Sequence, residues 1–181
     1  MGHTRSPPES ASGTRLQPGA SLAPEARHEY FVPMDSERLR AFLLTLPHVV
    51  ETMQWGANLV FWVGDKAVGG KMFALINLDE PGPPDKSYLV VSYAAGPTRY
   101  AELLELDGLV PAPYMARIHW VAAERWSVFT PAEWQRELTA AHALTLARLP
   151  KKVLASFALP AAEQKALIAA GRKRAAAKAK K

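Results

Sequence analysis

Three short apolar runs in the middle of the chain constrain its fold more than any other feature. They are Leu59–Val63, Lys71–Leu78 and Ser87–Tyr93, separated by a Gly-Asp pair and by a segment rich in proline and acidic residues at 79–85. Short apolar runs bounded by turn residues are typical of strands joined as an antiparallel meander. In the third run, apolar side chains occur at both alternating sets of positions, so we expect one face of the sheet to meet a helix.

Helical patterns lie on both sides of these runs. Apolar residues from Leu39 to Leu46 recur at helical spacing, after Asp35 and Ser36, which are both suited to cap a helix. Pro47 is expected to end this helix. A second, short helix is predicted from Gly96-Pro97 to Asp107-Gly108, where the last glycine favours a C-terminal cap.

The strongest local signal is Thr130-Pro131-Ala132-Glu133, which combines an N-cap hydroxyl, a proline at the first helical position and a carboxylate at the third. It predicts a helix that continues to about Arg148. Ala161–Ala170 is predicted as a further short helix, which Gly171 should break.

One more strand is predicted at His119–Ala122, with a continuation toward Trp126 and Val128. The order of helix, three strands, helix, one or two strands and helix predicts an α+β two-layer sandwich, with helices packed on one side of an antiparallel sheet. The expected divisions are a disordered extension at 1–33, an α+β domain at 34–152 and a helical, basic tail at 153–181.

The net charge of +5 is unevenly distributed along the chain. Residues 1–33 are neutral, residues 34–150 carry ten Lys or Arg against thirteen Asp or Glu, and residues 151–181 carry nine Lys or Arg against Glu163 alone. The folded domain is therefore expected to be slightly acidic. Attraction to phosphates would come mostly from the tail, whose composition is that of a flexible nucleic-acid-binding arm.

Several classes of protein are disfavoured by composition. The chain has no cysteine, which excludes disulfides and thiol chemistry, and no apolar run of the length that crosses a bilayer. Residues 1–33 hold five of the fifteen prolines and no apolar segment of a secretory signal, so the cytoplasm is the expected compartment. A translation start at Met34 is an alternative reading of this segment.

Catalytic and metal-binding motifs are not found. Gly69-Gly70-Lys71 lacks the first glycine and the hydroxyl residue of a phosphate-binding loop, so the glycines instead predict a tight turn or bulge at the strand entry. The histidines lack metal-ligand spacing. We therefore expect no enzyme activity, no cofactor and no metal.

His119 and Trp120 are adjacent residues that should point to opposite faces of a strand. Trp120 is the better candidate for the core. His119 is expected to form a structural hydrogen bond, with contact to a phosphate or ligand as the alternative.

Five short segments resemble a known family in their order and separation. They are Leu46-Pro47, Gly70-Lys71-Met72-Phe73-Ala74, Pro113-Tyr114, Ile118-His119-Trp120 and Leu149-Pro150-Lys151-Lys152. Over residues 35–152 the chain resembles the MmcQ/YjbR family of small bacterial proteins. The pattern departs at polar positions, because Val121 stands where family members carry Asn after His-Trp and the basic content before that pair is reduced to Arg117.

The resemblance implies a fold similar to that of bacterial secretion chaperones, and DNA binding through two wing-like elements. In this chain that wing surface would comprise Lys66, Lys71, Lys86 and Arg117.

Weak, largely sequence-independent binding of DNA is therefore the leading functional expectation. The predicted contact residues are Lys71, Lys86, Arg117, His119, Lys151, Lys152, Arg172, Lys173, Arg174, Lys178, Lys180 and Lys181.

The alternative expectation is a module that binds a protein partner, or a homodimer, through an exposed sheet face. A small-molecule sensor or enzyme with a pocket near Tyr114 and His119 is a further alternative. No membrane or metal partner is expected. Aromatic residues such as Trp55 and Trp62 are numerous around the predicted sheet, and any that are exposed beside Lys71 would form a stacking platform for bases or a protein-binding patch.

Overall fold

The fold was analysed in a computed structural model that describes residues 32–79 and 88–179. Its elements are five α-helices and the six strands of one sheet. In chain order they are α1 (Ser36–Leu43), β1 (Val49–Gln54), β2 (Asn58–Val63), β3 (Lys71–Asn77), β4 (Val91–Ala94), α2 (Gly96–Leu103), β5 (Leu109–Pro111), β6 (Trp120–Ala123), α3 (Pro131–Ala147), α4 (Lys151–Ser156) and α5 (Ala161–Ala179).

The strands form a six-stranded sheet in the order β1-β2-β3-β4-β6-β5, and every neighbouring pair is antiparallel. The predicted meander is present as β2, β3 and β4, although β4 begins at Val91 rather than at Ser87, which lies outside the described residues. Sequence analysis missed β1. This edge strand is only partly buried, and polar residues such as Glu51 and Thr52 interrupt its apolar pattern.

The main core lies between the sheet and the helices α1 and α3. Phe61 and Phe73 from the sheet are completely buried there, together with Leu39 of α1 and Trp134 and Leu138 of α3. The expected α+β architecture, with an antiparallel sheet and helices, is confirmed.

The predicted N-terminal caps of α1 and α3 are confirmed. The Asp35 carboxylate accepts a hydrogen bond from the Arg38 backbone N–H at 2.8 Å, which satisfies a free donor at the start of α1. At the start of α3, Thr130 and Glu133 form a capping box, in which the Thr130 N–H donates to the Glu133 carboxylate at 2.9 Å. Beside this cap, the Trp134 ring N–H donates to the Trp126 carbonyl at 2.9 Å, so the start of α3 is tied to the preceding loop.

Two predicted boundaries were wrong. Helix α2 ends at Leu103 rather than at Gly108. The chain continues in tight turns, in one of which the Leu106 N–H donates to the Leu103 carbonyl. Gly108, with φ of +84°, forms the turn into β5. Strand β6 does not continue toward Trp126 and Val128, which belong to a separate 3-10 turn.

The largest correction concerns Gly171, which does not break the last helix. α5 continues through it to Ala179, and α4, which sequence analysis missed, precedes it. Gly171 is buried against the carbonyl of Ala67, and a Cβ atom built on it would lie 2.3 Å from that oxygen. The glycine therefore permits a close helix contact, since a larger residue would not fit. Through residue 179, the expected flexible arm is a helix packed against the domain.

The glycines before β3 form the predicted tight turn. Gly69 adopts φ of +102°, which favours glycine, and a Cβ atom on Gly70 would lie 2.0 Å from the Gly64 carbonyl oxygen. This turn carries a 3-10 segment, Lys66–Val68, against which α5 packs.

Candidate nucleic-acid interface

An ion pair fixes α5 next to the 3-10 segment. One guanidinium nitrogen of Arg172 lies 2.9 Å from a carboxylate oxygen of Asp65, which is only 8% exposed. The other carboxylate oxygen of Asp65 accepts the Ala67 N–H at 2.7 Å. Arg172, one of the predicted DNA contacts, therefore already has a structural partner. The ion pair between Arg172 and Asp65 holds α5 in position.

The C-terminal cations and the 3-10 segment together line a cleft of about 730 Å³. Four of its lining residues are basic, and none of its described lining residues is acidic. We call the group Lys66, Lys152, Arg174 and Lys178 the basic cleft. Lys152 comes from α4, Arg174 and Lys178 from α5, and Lys66 from the 3-10 segment. A cleft lined by one sign of charge concentrates the potential that attracts phosphates.

The remaining C-terminal cations are distributed differently. Lys151 and Lys173 are exposed on α4 and α5 but do not line the basic cleft. Lys86, Lys180 and Lys181 lie outside the described residues. The structure thus divides the predicted contact residues of the tail into a subset that faces one cleft and a subset that does not.

The three wing residues that the structure describes, out of the four implied by the family resemblance, do not line one common groove. Lys66 joins the basic cleft, where its ammonium group also lies 5.3 Å from the centre of the Trp62 ring. Lys71 is exposed at the start of β3 and lines a separate groove with Arg148. Arg117 is exposed in a 3-10 turn and is not among the residues lining either of these two sites.

His119 has a different role from the one expected. It is not in a strand, because its φ of +60° places it at the end of a turn, so the alternation argument does not apply to it. Its carbonyl accepts the N–H groups of Ala95 and Gly96 at 3.0 and 3.1 Å. Its ring meets the Tyr100 ring edge-on, with centroids 5.4 Å apart, and forms no hydrogen bond to another described residue.

Trp120, by contrast, is buried as predicted. It belongs to a second, smaller apolar cluster on the other face of the sheet from the main core.

That second face carries an apolar groove of about 500 Å³. Met72, Leu75 and Leu89 contribute to it, and the aromatic residues Trp55 and Tyr114 line it as well. Trp55 is 64% exposed in the turn between β1 and β2, and Tyr114 is fully exposed in the loop before β6. Sequence analysis had no signal for which aromatic residues are exposed, because exposure depends on how the two loops meet the sheet.

The strongest pKa shift in the domain lies in its core rather than in a cleft. Burial raises the pKa of the Tyr93 hydroxyl far above its ordinary value. This hydroxyl has no hydrogen-bond partner among the described residues. Nearby, the mostly buried carboxylate of Glu137 pairs with Arg99 at 2.5 Å. The Tyr93 ring packs edge-on against Trp134, so this cluster is part of the main core.

No cluster of three potential metal ligands occurs in the described part of the chain. Among the same residues, no helix is long and apolar enough to cross a membrane.

Comparison with protein families gives a match to the YjbR family model over residues 44–144. The chain belongs to the YjbR family. The match lies within the region of the resemblance seen in the sequence, and it confirms that resemblance. No curated protein and no solved structure matches the chain significantly.

The YjbR match ends within α3, before α4 and α5 begin. Of the basic cleft, only Lys66 therefore lies within the matched region. The other three cations lie beyond the matched residues, on α4 and α5.

Proposed function

We propose that this YjbR-family chain is a non-enzymatic protein that binds DNA weakly and with little sequence preference, by seating phosphates in the basic cleft. The observation that carries the proposal is the convergence of four cations from three separate elements on one cleft without an acidic lining residue among those described. Contacts from Lys and Arg side chains to phosphates fix the position of the DNA without distinguishing its bases.

The position of α5 supports a preformed site. Because Arg172 and Gly171 hold α5 against the 3-10 segment, Arg174 and Lys178 are presented from a fixed helix. Less conformational entropy is lost on binding than with a flexible arm, so each contact contributes more of its energy to affinity. None of the described acidic side chains of residues 34–150 lines the cleft, so none of them pairs with a cation inside it.

The test compares two double variants that remove equal charge from the same helices. Lys152→Ala/Arg174→Ala removes two cations of the basic cleft, and Lys151→Ala/Lys173→Ala removes two exposed cations outside it. Fluorescence anisotropy of a labelled duplex of about 20 base pairs, measured over a salt series, gives the affinity and its salt dependence.

Four engaged cations predict a slope of log affinity against log salt of about −3.6, compared with about −8 if all nine C-terminal cations were engaged. The cleft variant should reduce the steepness by about 1.8, and the control variant should leave it nearly unchanged. Equal effects of the two variants would show that the cations act as a diffuse tail. Absence of binding by the unmodified protein at about 0.1 M salt would refute DNA binding.

A further inference from the structure

Two exposed aromatic side chains border the apolar groove, and the backbone of both residues has an unusual conformation. Trp55 and Tyr114 have φ of +50° and +64°, in the left-handed region that residues with a side chain seldom adopt. Such a conformation carries an energetic cost, and neither ring recovers that cost by burial, because both are exposed. Their shared position beside one groove points to a ligand that covers them.

The chemistry of that ligand follows from the charges around the groove. A second groove of about 390 Å³ shares Trp55 and Met72 with the apolar groove and adds Lys71 and Arg148 to the same surface. No acidic residue lines either groove in the described part of the chain. Lys71 and Arg148 form no ion pair with a described residue. The surface therefore suits a ligand with flat apolar groups and an anionic periphery.

The basic cleft and this surface are linked by neighbouring residues. Lys66 of the cleft lies over the Trp62 ring, and Trp62 lines the groove that contains Lys71. A phosphate chain that leaves the cleft past Lys66 therefore meets the groove that holds Lys71 and Arg148.

We propose that the groove binds unpaired nucleobases of a single strand, which stack on Trp55 and Tyr114 while their phosphates contact Lys71 and Arg148. Bases in a duplex are already stacked on one another, so only unpaired bases can use an aromatic platform of this kind. This inference rests on the proposed function, which identifies the polymer as DNA. It adds a second site that adjoins the basic cleft, and it predicts a preference for DNA that has a single-stranded part.

The test uses a labelled thymidine oligonucleotide, an abasic oligonucleotide of equal length and the duplex described above. Tyr114→Ala removes one ring and Tyr114→Phe keeps it, while Leu106→Ala removes an exposed apolar side chain that does not line the groove. Anisotropy gives the affinities. Quenching of tryptophan emission reports whether a base reaches Trp55, the most exposed of the described tryptophans.

Tyr114→Ala should weaken binding of the thymidine strand about tenfold, whereas Tyr114→Phe and Leu106→Ala should change it less than about twofold. Duplex binding should be unaffected by all three variants. The abasic strand should bind about tenfold more weakly than the thymidine strand and should be insensitive to Tyr114→Ala.

Two results would overturn the inference. Equal binding of thymidine and abasic strands would show that bases do not enter the groove. A dimer that sedimentation detects in the unmodified protein and that Tyr114→Ala dissociates would assign the groove to a second copy of the chain. Failure of the proposed function gives a different result from these two. In that case the unmodified protein does not bind the duplex, or its duplex binding does not depend on Lys152 and Arg174.

Discussion

Substitution of Gly171 by alanine offers a sharp test of how α5 is attached, because two effects of the change have opposite signs. In an isolated helix, alanine is favoured over glycine by about 1 kcal/mol, so the substitution should stabilise α5 itself. In the folded protein, the added methyl group would lie 2.3 Å from the carbonyl oxygen of Ala67 and 2.9 Å from its carbonyl carbon. Both neighbouring atoms belong to the backbone, so they cannot move aside as a flexible side chain would.

The expected magnitude follows from that overlap. Carbon atoms in comfortable contact lie about 3.5 Å or more apart, so α5 must retreat by about 1 Å. Overpacking of this kind costs about 1–3 kcal/mol, and the retreat also weakens the adjacent Arg172–Asp65 ion pair. After subtraction of the gain of about 1 kcal/mol in helix propensity, Gly171→Ala should lower the free energy of unfolding by about 1 kcal/mol, or Tm by about 2–4 °C.

Urea denaturation and thermal unfolding of the full chain would measure this effect, and circular dichroism of a peptide covering residues 160–181 would measure the intrinsic helix preference. Ala170→Gly is the matched control, because Ala170 is exposed one position away on the same helix. The control should destabilise both protein and peptide, whereas Gly171→Ala should stabilise only the peptide. A higher Tm of the Gly171→Ala protein would refute the close packing of α5 on the 3-10 segment.

Two further predictions concern individual side chains. The N–H and hydroxyl groups of Thr130 lower the pKa of Glu133 below its ordinary value near 4.5. The ionised Glu133 carboxylate therefore stabilises the fold above about pH 4.5, and this stabilisation is lost as the pH falls through the lowered pKa. Glu133→Gln should therefore make stability less sensitive to acidification, as unfolding measured between about pH 3 and 6 would show. Tyr93→Phe removes a buried hydroxyl that has no described partner, and it should raise the free energy of unfolding by about 1 kcal/mol. A loss of stability in urea would instead reveal a hydrogen bond to that hydroxyl.

The features that sequence analysis predicted correctly are those with local causes. The capping box of Thr130 and Glu133 involves residues three positions apart, and the turn at Gly69 and Gly70 lies between two adjacent strands. Their signals are contained in a few consecutive residues. No knowledge of the rest of the fold is needed to recognise them.

The features that were missed depend on contacts between distant residues. Gly171 resembles a helix breaker in isolation, and only its contact with Ala67 explains why it lies inside a helix. Lys66 was grouped with the wing residues, because sequence order does not show that α4 and α5 return to the 3-10 segment. His119 departs from a strand through a positive φ that the neighbouring apolar pattern does not indicate.

The Arg172–Asp65 ion pair joins residues 107 positions apart, and this separation has a consequence for the order of folding during synthesis. The sheet contacts mostly link strands that are close in the chain, so the sheet can assemble while later residues are still being made. The basic cleft cannot, because three of its four cations follow α3. On the proposed function, a nascent chain acquires its phosphate-binding cleft only after the net acidic residues 34–150 have been made.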